Sequence, residues 1–404
     1  MGNTQTIATH NKSASLNSPL RHYEFDWLRV LVILNLVPFH VAWLMTLVPE
    51  FSALSKGADS WWTLLYYITF FSSWHMPLLF FVAGASALSS LKRRSAKEYV
   101  VDRIKRLLIP LLFFMIFVFP IMVYFLPGAS EVHSMSDYFQ NFWLSCLGDF
   151  HYNWPENIRP VLPSWGHMWF VAYLLVVSLV TLPAILWLKK IKRGAWMTKV
   201  MENVTPWQVI SILGIPFVMI IFVLAPRWPL FQRHDLIGDW TYFTYNFLAF
   251  GLGCAIGCQN RFEKVLCQQY WILLALAIIL SVVVLWMRYH LPIFSTPAYT
   301  LEFLLYALLY GFNTWFWLLA ALGLSKRFLS YSNGFLRYFS RVSYPWYILH
   351  LVVMVVIGYF VRQWGVGTVG EFLLICVLTA SGTLFLYELL IVKTKTTRLL
   401  FGIK

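Results

Sequence analysis

The chain has 404 residues, of which 59% are hydrophobic, 19% aromatic and only 12% charged. Soluble globular chains are nearer half apolar and a quarter charged, so here too little polar surface remains to cover a water-facing shell. These figures exclude a soluble multidomain enzyme, a disordered chain, a collagen-like fibre and a disulfide scaffold, and they leave a polytopic membrane protein.

Residues 1–22 read as a polar N-terminal tail rich in Ser, Thr and Asn. No charged n-region and no small-residue cleavage pattern accompany the first apolar run, which is therefore predicted to be an uncleaved span. Apolar segments follow at 28–48, 62–90, 107–126, 167–188, 208–226, 240–258, 270–288, 300–322, 343–361 and 370–392. Each is about long enough to cross a hydrocarbon core of roughly 30 Å. Strand-like alternation is absent. The expected fold class is thus all-α, with about ten transmembrane helices. They form one domain over residues 23–392, with a C-terminal tail at 393–404.

The formal net charge is +14. Of the 31 Lys and Arg residues, all but Lys56, Arg159, Arg227, Arg233, Arg288 and Arg362 fall on one side of this layout. That asymmetry places both termini in the cytoplasm. It also accounts for the basic charge through topology, without a nucleic-acid partner. Only the 127–166 loop is long on the outer side. It is acidic, and its amphipathic stretch from Tyr138 to Leu144 is predicted to lie at the interface.

Cys254 and Cys258 sit one turn apart with no His or carboxylate at ligand spacing, so packing is expected there and no metal site. Gly251-x-Gly253-x-x-x-Gly257 lies inside an apolar span, where small residues permit close helix contact. No P-loop and no G-x-S-x-G segment stands out.

Ionisable groups at bilayer depth are costly and are functional candidates. Span one carries Asp26, Arg29 and His40. Eleven residues make about three helical turns, which puts His40 on the Arg29 side and roughly 16 Å above it. Headgroup anchoring for Asp26 and Arg29, and a satisfied core role for His40, are the structural alternatives. In span two, Pro77 is expected to kink the helix, and His75 beside it can serve either the freed carbonyls or a reaction.

The loop that follows holds the densest basic run. Within it, Arg103 and Arg106 are expected to share a face at i, i+3, next to the membrane entry. Arginine forks suit phosphate, so this loop points to a phosphate-bearing ligand beyond ordinary anchoring. Span eight sets Glu302, Tyr306, Tyr310 and Asn313 in one polar stripe. Span nine sets Ser343, Tyr347 and His350 in another, and Tyr387-Glu388 lies near the end of span ten. The two stripes are expected to line a common polar cavity rather than face lipid.

Together these residues resemble the acyltransferase 3 family of integral membrane acyltransferases. The resemblance is carried by Arg29-x10-His40, by His75-Met76-Pro77 with Phe80-Phe81-x-x-Gly84, and by Arg103-x-x-Arg106-x-x-x-Pro110. His167-Met168-Trp169-Phe170 and Ser343-Tyr344-Pro345-x-Tyr347-x-x-His350 extend it, and it runs from about residue 21 to 392. Arg21-x-x-x-x-Asp26, the His-Met-Pro-x-x-Phe-Phe segment and Tyr387-Glu388 are most similar to the periplasmic-glucan succinyltransferase branch. The sequence carries no appended soluble esterase-like domain of the kind some relatives have.

The resemblance implies transfer of an acyl group, acetyl or succinyl, from cytosolic acyl-CoA to a hydroxyl of a glycan or lipid-linked sugar at the outer face of the inner membrane. Acyl-CoA would be a co-substrate, with no tightly bound cofactor and no metal. In that scheme Arg103, Arg106 and Arg29 hold the donor phosphates and His40 is the general base. Asp26 steadies Arg29, and Glu388 supports the site. His75, His350, Tyr347, Glu302, Tyr306 and Tyr310 are candidates for acceptor binding or oxyanion stabilisation. The competing reading is a proton-coupled transporter with His40, Glu302 and His350 as its relay.

Overall fold

The computed structural model describes residues 22–48, 59–91, 93–126, 134–146, 165–190, 205–230, 234, 236, 238–256, 260–291 and 297–403. Arg21, Cys258, Gly257 and most of the 127–166 loop lie outside these residues. In chain order the helices are α1 (Tyr23–Leu47), α2 (Asp59–Ser72), α3 (His75–Leu91), α4 (Ala96–Tyr124) and α5 (Met135–Cys146). Next come α6 (Trp169–Val180), entered through a tight turn at Gly166–Met168, then α7 (Leu182–Lys190), α8 (Pro206–Leu224) and α9 (Trp240–Ile256). The last five are α10 (Asn260–His290), α11 (Leu301–Phe328), α12 (Gly334–Val361), α13 (Gly367–Ile391) and α14 (Lys395–Leu400). No strand occurs among the described residues. The protein is an all-α membrane protein.

Seven stretches are long and apolar enough to cross a membrane: α1, α2 with α3, α4, α10, α11, α12 and α13. The other three predicted spans fall on α6, α8 and α9, which are shorter by that measure. α6 gives way to α7 at Thr181, because Pro183 has no N–H to continue the ladder.

Span two breaks where Pro77 predicts a kink, with α2 ending at Ser72 and α3 starting at His75. Pro77 cannot donate to the Ser73 carbonyl, and Thr314 Oγ1 of α11 does so instead at 2.7 Å. The Phe71 carbonyl accepts from Trp74 N at 3.2 Å and from His75 Nδ1. Asn313 Nδ2 reaches Ser73 Oγ at 3.3 Å, and Ser281 Oγ of α10 donates to Asn313 Oδ1 at 2.8 Å. α11, braced by α10, therefore holds this break in place.

Close packing of α3 on α9 depends on two glycines. A Cβ on Gly84 would run into the Phe250 carbonyl, and one on Gly253 into that of Phe81. Cys254 Sγ donates to Gly84 O at 3.2 Å, which bears out its packing role. Gly251 faces open space, so only one glycine of the described pair makes the close contact.

Two elements differ from expectation. α5 does not simply lie at an interface: Tyr138 and Phe142 are buried, and Tyr138 Oη donates to the Pro120 carbonyl of α4 at 3.1 Å. The residues after 392 are docked as well. Phe401 packs edge-on to Phe113 at 5.4 Å, and Gly402, at φ +65°, lies against Tyr344 and the Arg106 carbonyl. Beside this end of the bundle, Lys326 Nζ sits 2.8 Å from Glu24 Oε1 and 2.9 Å from Glu263 Oε2, joining α1, α10 and α11.

Candidate active site

Two polar centres lie along α1. The first gathers around Arg29, whose Nη1 is 3.1 Å from Asp26 Oδ1 and whose Nη2 donates to Ser86 Oγ of α3 at 3.4 Å. From α4, Arg106 Nε lies 3.2 Å from Asp102 Oδ1, and Arg94 Nη1 lies 3.3 Å from Asp102 Oδ2. Arg106 is within electrostatic reach of Arg29, Arg94 and Arg103. Four guanidinium groups thus meet two carboxylates, which leaves a local excess of positive charge.

Arg103 and Arg106 do not act as a simple i, i+3 pair. Each reaches back one turn, Arg103 over the Tyr99 ring at 4.7 Å and Arg106 to Asp102. A π-helical turn at Ile104–Leu108 begins just after Arg103 and includes Arg106. Arg103 Nε has no hydrogen-bond partner among the described residues, and Arg106 Nε is ion-paired without being aimed at its carboxylate. Both retain donor capacity for an anionic ligand.

The second centre is a cluster of three imidazoles from three helices or their entries. His40 of α1 and His350 of α12 have ring centroids 5.0 Å apart. His167, in the turn before α6, lies 5.3 Å from His350 and 6.3 Å from His40. His350 and His167 are buried, and His40 retains an accessible face.

Backbone carbonyls assign the protons in this cluster, because a carbonyl can only accept. His350 Nδ1 is 3.0 Å from Trp346 O and 2.9 Å from Tyr347 O, so Nδ1 carries hydrogen and Nε2 a lone pair. His40 Nδ1 is 3.0 Å from Leu36 O and 3.0 Å from His350 Nε2, so it donates to both. The lone pair of His40 is thereby left on Nε2. His167 Nε2 donates to Tyr347 O at 3.0 Å. All three rings can be neutral together with every shared contact running from donor to acceptor.

Other predicted site residues take different places. His75 bonds to Phe71 O at the helix break, packs on Phe39 at a ring-centroid distance of 4.8 Å, and lies within electrostatic reach of His40 without a hydrogen bond to it among the described residues. Tyr347 Oη donates to the His167 carbonyl at 2.5 Å, and both nitrogens of His350 are engaged. Neither has a donor left to meet an oxyanion. Tyr306 and Tyr310 are buried with ring centroids 5.7 Å apart, in an aromatic group with Tyr245. Glu302 is exposed in the first turn of α11, so the expected stripe loses its acidic member and no His40–Glu302–His350 relay is assembled. Glu388 is exposed and accepts from Tyr338 Oη at 2.7 Å, joining neither polar centre.

Sequence reasoning left His167 out of the site, although a histidine opening a span was itself the signal. It also passed over Asp239. This buried carboxylate accepts from Tyr173 Oη and His234 Nδ1, each at 3.0 Å, and from Tyr242 N at 3.3 Å, which caps α9.

A protein-family model described as an acyltransferase domain matches residues 22–388. No curated protein and no solved structure matches the chain. The matched region runs through both polar centres and nearly the whole helical bundle, and the chain belongs to the acyltransferase 3 family of membrane acyltransferases.

Proposed function

We propose that the protein is a membrane O-acyltransferase that takes acetyl or succinyl groups from cytosolic acyl-CoA. The acceptor is a hydroxyl of a glycan or lipid-linked sugar at the outer face of the inner membrane. The observation that carries this reading is the His40–His350 hydrogen bond, which leaves His40 Nε2 as an accessible lone pair on the same helix as Arg29. About three helical turns, roughly 16 Å, separate these two residues. α12 makes a parallel link, since Tyr344 lies beside Arg106 and His350 in the imidazole cluster.

In this reading both termini are cytoplasmic. Arg103, Arg106 and Arg29 bind the phosphates of acyl-CoA, and Asp26 holds Arg29 in place. The acyl-bearing arm lies along α1 towards His40. His40 Nε2 takes the proton of the acceptor hydroxyl as its oxygen attacks the thioester carbon. The new C–O bond forms, the C–S bond breaks, and the proton passes to the leaving thiolate as free CoA departs. Direct transfer is favoured because, among the described residues, no Ser or Cys side chain hydrogen-bonds to an imidazole of the cluster. Acyl-CoA is a co-substrate, and the scheme uses no metal or resident cofactor.

The test is incubation of the purified protein in lipid with labelled acetyl-CoA or succinyl-CoA and a glucan. Labelled ester on the acceptor is the expected result. Absence of ester with every donor, together with proton-coupled flux that is lost in His40→Ala, would establish a transporter instead.

A further inference from the structure

General bases of the imidazole type usually lean on a carboxylate, which orients the ring and stabilises the imidazolium that forms. Among the described residues no Asp or Glu side chain hydrogen-bonds to His40, His167 or His350. The place of that carboxylate, on the Nδ1 side of His40, is taken by His350 Nε2 at 3.0 Å. His350 is fully buried, and its own Nδ1–H lies between the carbonyls of Trp346 and Tyr347.

We infer that His350 is a positioning and proton-accepting partner of His40, so that two imidazoles share the proton taken from the acceptor. The inference rests on the acyltransferase reading above. In the resting pair each Nδ1 holds a hydrogen and each Nε2 a lone pair. When His40 Nε2 gains the hydroxyl proton, His40 becomes a cation. Its Nδ1 proton then moves along the existing hydrogen bond to His350 Nε2. The positive charge comes to rest on His350, whose Nδ1–H faces two carbonyl dipoles, and His40 is neutral again with hydrogen on Nε2. Delivery of that Nε2 hydrogen to the leaving sulfur, with return of the shared proton to His40 Nδ1, restores the pair. No atom or electron is gained or lost over the cycle.

A merely structural histidine would move no proton during the reaction, so the count of protons in motion decides the matter. The experiment is a proton inventory of single-turnover ester formation in mixtures of H₂O and D₂O, with wild type and His350→Gln. Glutamine keeps an acceptor for the His40 Nδ1–H but cannot take up its proton. Wild type is expected to give a curved, two-proton inventory. His350→Gln should give a straight, one-proton inventory and a rate loss of roughly tenfold, below the ~10²–10⁴-fold that a general base contributes. Acyl-CoA binding should be unchanged in the variant, which also reports that it is folded. A straight inventory in wild type overturns the relay while leaving the acyltransferase reading intact. Absence of ester from wild type overturns both.

Discussion

The two polar centres meet the cost of polarity in a membrane by opposite means. The arginine group keeps full charges. Its side chains are partly exposed, 36% for Arg29 and 39% for Arg106, and each is paired with an aspartate one turn away. The histidine group lies deeper and keeps no fixed charge. His350 is 0% exposed and His167 8%, and every proton in their shared contacts has an assigned acceptor. A charge at that depth would need a partner or water, whereas a neutral imidazole needs only hydrogen bonds. In the proposed scheme, binding chemistry thus falls where ions are tolerated, and proton transfer where a neutral base can exist.

This contrast can be broken at either end. The largest effect is expected from His40→Ala, which should lower turnover by ~10²–10⁴-fold, the usual contribution of general-base catalysis, with acyl-CoA affinity little changed. Rates measured at saturating donor, alongside donor-binding titrations, check both halves. Arg106→Ala and Arg103→Ala should do the reverse. Each removes a charge-assisted contact of about 1.5–3 kcal/mol, so donor KM should rise about 10–100-fold while kcat holds.

Salt sharpens the comparison without mutation. Raising ionic strength should weaken donor binding a few-fold by screening the half-exposed arginines, and leave the single-turnover rate of bound complex unchanged. The smallest effects belong to Glu302→Gln and Glu388→Gln. Both side chains are exposed and outside the two centres, so each should alter stability by at most about 0.5 kcal/mol and activity by less than about twofold. A strong loss of transfer in either variant would show that the active site extends beyond the two centres.

Much of the site was legible one residue at a time. His40 and Arg29 stood out because ionisable groups in an apolar run are expensive, and helical spacing related them directly. Pro77 announced its break, and Gly253 its close approach. Legibility failed where spacing within one helix had to stand in for neighbours on another. Glu302 shares a helical stripe with Tyr306 and Tyr310, yet it sits in the first turn of α11, where its side chain is exposed. Arg103 and Arg106 have i, i+3 spacing, yet each packs on the residue four positions before it, Tyr99 and Asp102. His167 was read as one member of a short motif, although its contact with Tyr347 makes it part of the cluster.

Composition and hydropathy patterning by themselves determined that the chain is an all-α membrane protein, because an apolar majority with few charges has no water-soluble arrangement. Spacing along α1 by itself put an arginine and a histidine on one side of one helix. Only the tertiary structure decided which nitrogen of His40 keeps its lone pair. That choice depends on the Leu36 carbonyl, four residues back, and on His350, which lies 310 positions away in the chain. Hydrogen-bond direction is a property of pairs brought together by packing, and a sequence read one segment at a time cannot contain it.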